Sequence, residues 1–311
     1  MKKALYTFPI LLTLLFILTN CKQPNLTPAY IQINLEDINN CVDISNFNAS
    51  HGVNYDSEQL SAFQQHNFTH VNVYVNGKNL GCWQVPCKVP VLDLTDGDTS
   101  NVYILPAFRK TGMSNTIQGY PFFNVLQKRI LLKRGETYSF AEDPLTFVYS
   151  SYATCPYLET FSNSSSFTPK DSTNYPITFQ PTQYDGRTVG AITLNNANGL
   201  SFDVASIPIT LPVRNYYQYL EITYNIESNM DVALQLSTAQ HPNSVFPLGG
   251  MYATNGEWKT IYFEIASTIQ DEHYTASSAT NATIVLSGIG DANKNTHYYI
   301  DNIKIVYEPS I

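Results

Sequence analysis

Four cysteines, one late aspartate and a cluster of tyrosines carry most of the chemistry that this chain offers. Cys41, Cys82, Cys87 and Cys155 follow an apolar N-terminal leader. In an exported chain they meet an oxidising compartment, where four thiols allow three pairings. Cys82 and Cys87 enclose only Trp83 to Pro86, a bend that a bridge would staple, which leaves Cys41 and Cys155 to tie together the ends of the first domain. The other reading is free thiols serving as small apolar fillers. Asp301 has the parity of Ile303 and Ile305 and is expected to point inward with them. A buried carboxylate needs hydrogen-bond donors or a cation, because an unpaired charge is costly away from water. Tyr216, Tyr217 and Tyr219 are candidates for holding a sugar, since a tyrosine ring offers apolar area and a polar tip. Packing on a sheet face is the alternative use of the same rings.

Motifs for bond-making chemistry are missing. The sequence has no G-x-S-x-G, H-E-x-x-H or Walker motif, and Gly288-Ile289-Gly290 is a lone GxG without a third glycine or a following helix. Asp291, Asn293 and Asn295 match the first ligand positions of a calcium loop, but Thr296 and Asn302 stand where glycine and glutamate are wanted, as in a polar turn. The chain is therefore expected not to be an enzyme. Its net charge of −8, with no basic stripe, argues against nucleic acid as a partner.

The fifth cysteine, Cys21, stands apart. Lys2 and Lys3 precede an apolar run from Ala4 to Leu18, and Leu18-Thr19-Asn20-Cys21 closes it. That order resembles the lipobox of bacterial lipoproteins, although Asn20 replaces the usual small residue. The resemblance implies a signal peptide over residues 1–20, acylation of Cys21 and a lipidated tether over residues 21–30. A lipid-anchored protein of the outer membrane follows, on its periplasmic or cell-surface face. More than one acyl chain is needed for firm attachment, at about 0.8 kcal/mol per buried CH₂.

The remaining pattern is β. Tyr (22 residues), Asn, Thr and Ser are frequent, and long Ala-, Leu-, Glu- and Lys-rich stretches are absent. Val71, Val73 and Val75 alternate with polar neighbours, and Asn76-Gly77 is the strongest two-residue hairpin signal. Pro86 and Pro90 restrict later pairing to edges or bends. Residues 31–161 are predicted as a small β-sandwich domain. Residues 162–174, rich in Ser, Thr, Asn and Pro, read as a linker. From 175 to 308 alternation resumes at Leu220 and Ile222, at Val232, Leu234 and Leu236, and at Ile261 and Phe263, predicting a second, jelly-roll β-sandwich.

Two resemblances attach to these segments. Val73 to Gly81, followed by prolines, resembles the PEGA-type surface hairpin, and residues 68–125 resemble the N-terminal domain of uncharacterised Bacteroidota lipoproteins. Trp258, Phe263 and Ile300-Asp301-Asn302-Ile303 resemble the late strands of carbohydrate-binding-module jelly rolls. That second likeness implies a fold, and a structural Ca²⁺ at Asp301; otherwise no cofactor is expected. The first likeness implies a location and no activity; the leading expectation for the whole chain is a non-catalytic accessory or protein-interaction subunit of a cell-envelope complex, with an outer-membrane protein as partner. The alternative is a surface glycan-binding protein that uses the jelly roll. An exposed coplanar pair of aromatic rings favours the second; a broad apolar patch on either domain favours the first.

Overall fold

The computed structural model describes residues 27–309, apart from 40, 96, 114, 214–215, 238–243 and 271–278. The leader, Cys21 and most of the expected tether lie outside the described residues, as does the side chain of Tyr216. The described chain is all-β, with a few single-turn helices, and forms two β-sandwiches in succession.

The first sandwich grows from the valine alternation. Val71, Val73 and Val75 lie buried on strand His70–Val75. Asn76 and Gly77 both take positive φ (50° and 79°), the paired left-handed turn whose twist matches a hairpin. Lys78–Gln84 then returns antiparallel. Thr99–Arg109 flanks His70–Val75 on its other side and carries Ile117–Gly119 and Leu126–Leu131. Opposite this sheet, Ala29–Ile33 sits between Cys87–Val91 and Thr137–Ser139, the latter pair being parallel. Ile31, Val73, Val89, Ile104 and Phe140 meet in one core between the sheets.

The second sandwich has two six-stranded sheets. One runs Gln180–Tyr184, Arg187–Leu194, Thr296–Pro309, Tyr216–Ile226, Lys259–Glu264, with Thr154–Glu159 also on Thr296–Pro309. The other runs Thr168–Pro169, Ser201–Ala205, Ala279–Ile289, Met230–Ser237, Ser244–Met251, with Ile209–Pro212 also on Ala279–Ile289. Leu220, Ile222, Val232, Leu234, Leu236, Ile261 and Phe263 fill the core between them, as their alternation predicts. Each such side chain contributes about 1.5–3 kcal/mol by leaving water.

The division between the sandwiches differs from the sequence reading. Thr154–Glu159, expected in the first domain, pairs with Thr296–Pro309 in the second. Residues 162–174 are not a free linker, because Phe167 is buried in the jelly-roll core and Thr168–Pro169 pairs with Ser201–Ala205. Polar composition concealed this: the segment needs only one large apolar anchor to be held. Both Glu159 carboxylate oxygens accept from this crossing, at Phe161 N (2.7 Å) and Ser166 N (2.6 Å). Phe161, fully buried at φ 56°, lies over Gly190, where an added Cβ would come within 2.5 Å of its ring. Gly190→Ala is therefore expected to cost about 1–3 kcal/mol through overpacking, read as a lowered urea midpoint at unchanged m-value.

The sandwiches share a seam. Tyr219, Tyr262 and Val306 point away from the jelly-roll core and enter the core of the first sandwich. Beside them, Glu221 and Lys304 are cross-strand partners, 3.1 Å apart and fully buried. Lys304 Nζ donates to Ala62 O (2.8 Å), and the Tyr120 hydroxyl donates to Glu221 Oε1 (2.8 Å), both across the seam. Burial holds the Tyr120 phenol well above its usual 10, so it stays a donor. Half of the outer face of this sheet is thus covered by the first sandwich.

Candidate functional site

The uncovered half of that face forms an aromatic shelf. Asp185 and Gly186 take φ 52° and 72°, a tight hairpin turn that places Tyr184 opposite Arg187. Tyr299 lies opposite the small Ala191, and His297 opposite Thr193, on the last long strand. Tyr184 stacks on Tyr299 with ring centroids 3.8 Å apart and planes 9° from parallel. His297 continues the ladder, 5.8 Å from Tyr299 at 4°. All three side chains are half-buried, so ring edges and tips reach solvent.

Trp258 extends the shelf toward the seam. It follows the turn Asn255-Gly256 (φ 55° and 88°), which the Asn225 side chain pins by donating to Gly256 O (3.1 Å) and accepting from the Thr254 hydroxyl (2.9 Å). The indole N–H donates to Asp185 Oδ2 (3.0 Å), and the Arg187 guanidinium carbon lies 4.9 Å from the ring centroid. Arg187 also bonds Asp301 Oδ2 at 2.6 Å. Asp301 is therefore not inward-facing. The register slips between Thr223 and Tyr224 opposite it, so Tyr298 and Ile300 face the core before this bulge and Ile303 and Ile305 after it. One extra residue turns Asp301 to the outer face, where its partner is Arg187. Among the described residues, no group of three or more His, Cys, Asp or Glu converges as a metal site.

The shelf ends in a cleft of about 210 Å³ under the first sandwich. Gln65, Asn67, Arg187, Trp258 and Thr260 line it, with Lys259 at its edge. Gln65 Oε1 accepts from Asn302 Nδ2 at 2.9 Å. The neighbouring His66 is fixed by its partners: its Nε2 lies 3.1 Å from Phe63 O, and its Nδ1 lies 3.3 Å from the Tyr262 hydroxyl. The Tyr262 hydroxyl in turn accepts from Asn67 N (3.0 Å). These contacts assign the proton to Nε2 and make Nδ1 the acceptor. Desolvation, then the Lys304 ammonium, holds the His66 pKa well below 6.5. A lowered histidine pKa means that the unfolded chain binds the proton first, so stability falls as pH drops below 6.5 toward the folded value. His66→Gln is expected to flatten that dependence by up to about 1.4 kcal/mol per pH unit, checked by urea unfolding at stepped pH. His70, also lowered by burial and by Arg109, retains a slope of the same sign in the variant.

The residues singled out from sequence fall elsewhere. Tyr219 is 2% exposed, edge-on to Phe108 (5.2 Å) and Phe122 (5.8 Å), and offers no surface to a ligand. Tyr217 is exposed, and the side chain of Tyr216 lies outside the described residues. All four described cysteines are free thiols, so neither expected bridge is formed. Cys41 Sγ reaches Glu36 O (3.4 Å) and Cys155 Sγ reaches Tyr157 O (3.2 Å), each bonded within its own segment. Burial pushes the Cys87 thiol to about 11 and the Cys155 thiol to about 12, the opposite of an activated nucleophile. Sequence reasoning missed Tyr184, Arg187, His297 and Tyr299. The Asp185-Gly186 pair between Tyr184 and Arg187 was the available signal.

No family model matches the chain, and no curated relative matches it. Solved structures that part of this chain is similar to include a family 29 carbohydrate-binding module from Piromyces equi. It is 13% identical over 51% of this chain and 91% of that one, with a TM-score of 0.30. The family 30 carbohydrate-binding module of a cellulosomal cellulase from Clostridium thermocellum is 11% identical over 42% of this chain and 80% of its own, at 0.26. The C-terminal family 6 module of a marine laminarinase from Zobellia galactanivorans is 15% identical over 45% and 98%, also at 0.26. Likenesses this distant assign neither a ligand nor a site to this chain.

Proposed function

We propose that the protein binds glycans without acting on them, on the shelf of Tyr184, Tyr299 and Trp258. The observation that carries this reading is the ladder of parallel, half-exposed rings beside Arg187 and the amide groups of Gln65 and Asn67. Sugars present C–H faces that pack on aromatic rings and hydroxyls that pair with amide and guanidinium groups. Because the ladder rings stack face to face, the shelf presents their edges and polar tips, with the Trp258 ring and the amides of Gln65 and Asn67 beside them. The accessory-subunit reading has less to draw on. The outward apolar residues of this sheet, Tyr219, Tyr262 and Val306, are already spent on the seam.

Affinity purification from native membranes, paired with a glycan array, separates the two readings. Retention of neutral glycans on the array, with no stoichiometric protein partner, is the expected result. A stoichiometric outer-membrane protein and an empty array would sink glycan binding.

We further propose that Cys21 carries acyl chains that hold the protein at the outer membrane. Cys21→Ser is expected to move the chain into the soluble fraction. A variant that still pellets after carbonate washing contradicts the anchor.

A further inference from the structure

Resting on the glycan reading, we propose that this site takes the terminal sugar of a neutral glycan, not an internal stretch of one. An open sheet face lets a polymer cross it in either direction. This shelf has a wall toward the seam, where it runs into the segment that carries Gln65, His66 and Asn67, which belongs to the first sandwich and lines the cleft together with Thr223 and Thr260.

That wall is fixed. Gln65 is tied to Asn302, His66 to Tyr262 and Phe63 O, and Asn67 N to the Tyr262 hydroxyl, whose ring is itself buried in the seam. Moving it aside means opening the shared core that holds Tyr219, Tyr262 and Val306. A glycan laid across Trp258 toward the seam therefore ends where the wall begins. The cleft at that point, about 210 Å³, falls below the roughly 300–1,000 Å³ of pockets that enclose drug-sized ligands. It suits a single ring.

Charge selects the class. The two cations bordering the cleft are both occupied, Arg187 by Asp301 at 2.6 Å and Lys259 by Glu257 at 3.7 Å. The indole N–H and the Thr260 hydroxyl are likewise engaged, by Asp185 and Thr223, which leaves the side-chain amides of Gln65 and Asn67 to pair with sugar hydroxyls. An acidic sugar would meet the Asp185, Glu257 and Asp301 carboxylates that already stand beside these groups, whereas a neutral one meets no repulsion.

The test titrates the purified full chain with ladders of cello-, xylo-, manno- and galacto-oligosaccharides, from monosaccharide to hexasaccharide, and with the parent polysaccharides. Terminal recognition predicts a Kd that stops changing after the first one or two rings, and one protein per chain on the polysaccharide. Affinity that rises about tenfold or more with further length, or several proteins seated along one chain, overturns terminal recognition and leaves glycan binding intact. Tighter binding of uronate-containing oligomers than of neutral ones overturns the neutral class. Failure of every glycan, here and on the array, removes the glycan reading itself.

Discussion

Lys304→Met is expected to lower the stability of the whole protein by about 3–5 kcal/mol, the loss typical when one partner of a buried ion pair is removed. Lys304 and Glu221 lie opposite each other on adjacent strands, both without solvent contact, under the first sandwich. Without the ammonium, Glu221 keeps a single neutral donor, Tyr120, in a place where water cannot reach it. Ala62 O loses its donor as well. Glu221→Leu is expected to destabilise in the same direction, since it strands Lys304. The double variant Glu221→Leu/Lys304→Met is expected to recover most of the loss, because well-packed apolar residues often replace a buried pair at little cost. Urea unfolding of the four proteins gives the coupling energy directly. Single variants within about 0.5 kcal/mol of the parent would mean that water reaches the pair, and that the seam is not closed.

The second large effect is on binding. Tyr299→Ala and Trp258→Ala are each expected to weaken glycan affinity by about 2 kcal/mol or more, roughly thirtyfold. Tyr299 is the middle rung of the ladder, so its loss removes the support of both Tyr184 and His297. Trp258 joins the ladder to the cleft through Asp185 and Arg187. Neither ring enters the jelly-roll core, so the unfolding midpoint is expected to move much less than affinity does. Tyr217→Ala, which alters an exposed ring on the covered half of the sheet's strands, is expected to leave affinity unchanged. Calorimetric titration with a glycan chosen from the array measures all three.

Much of the fold was legible because strand alternation and turn chemistry are local. Val71, Val73 and Val75 with Asn76-Gly77 specified one hairpin, and Leu220, Ile222, Ile261 and Phe263 specified one face of a sheet. The seam was not read, although it left a trace. Tyr219-Leu220, Tyr262-Phe263 and Ile305-Val306 are neighbours that are both buried, which happens only where a sheet is covered on both faces. Taken as simple alternation, those pairs concealed the docking of the first sandwich. Asp301 was misplaced for a related reason. Parity holds only while the register holds, and a bulge beside Thr223 breaks it. The site itself lay beyond local pattern. Tyr184, Trp258 and Tyr299 are far apart in the chain and meet only when four strand pairings bring them to one face. Of the tyrosines grouped in sequence, Tyr217 and Tyr219 are two positions apart and share a face, but it is the face that meets the first sandwich, where Tyr219 is buried.

The central claim, that sugar is held on the shelf, is tested most directly through the chain's two tryptophans, Trp83 and Trp258. Their indole N–H resonances report separately, one on the first sandwich and one on the shelf. Titration with an array-positive glycan is predicted to shift the Trp258 indole signal, whose proton now points to Asp185, and to leave Trp83 in place. A shift at Trp83 alone, or saturable binding with no change at Trp258, would contradict the assignment of the shelf as the binding site.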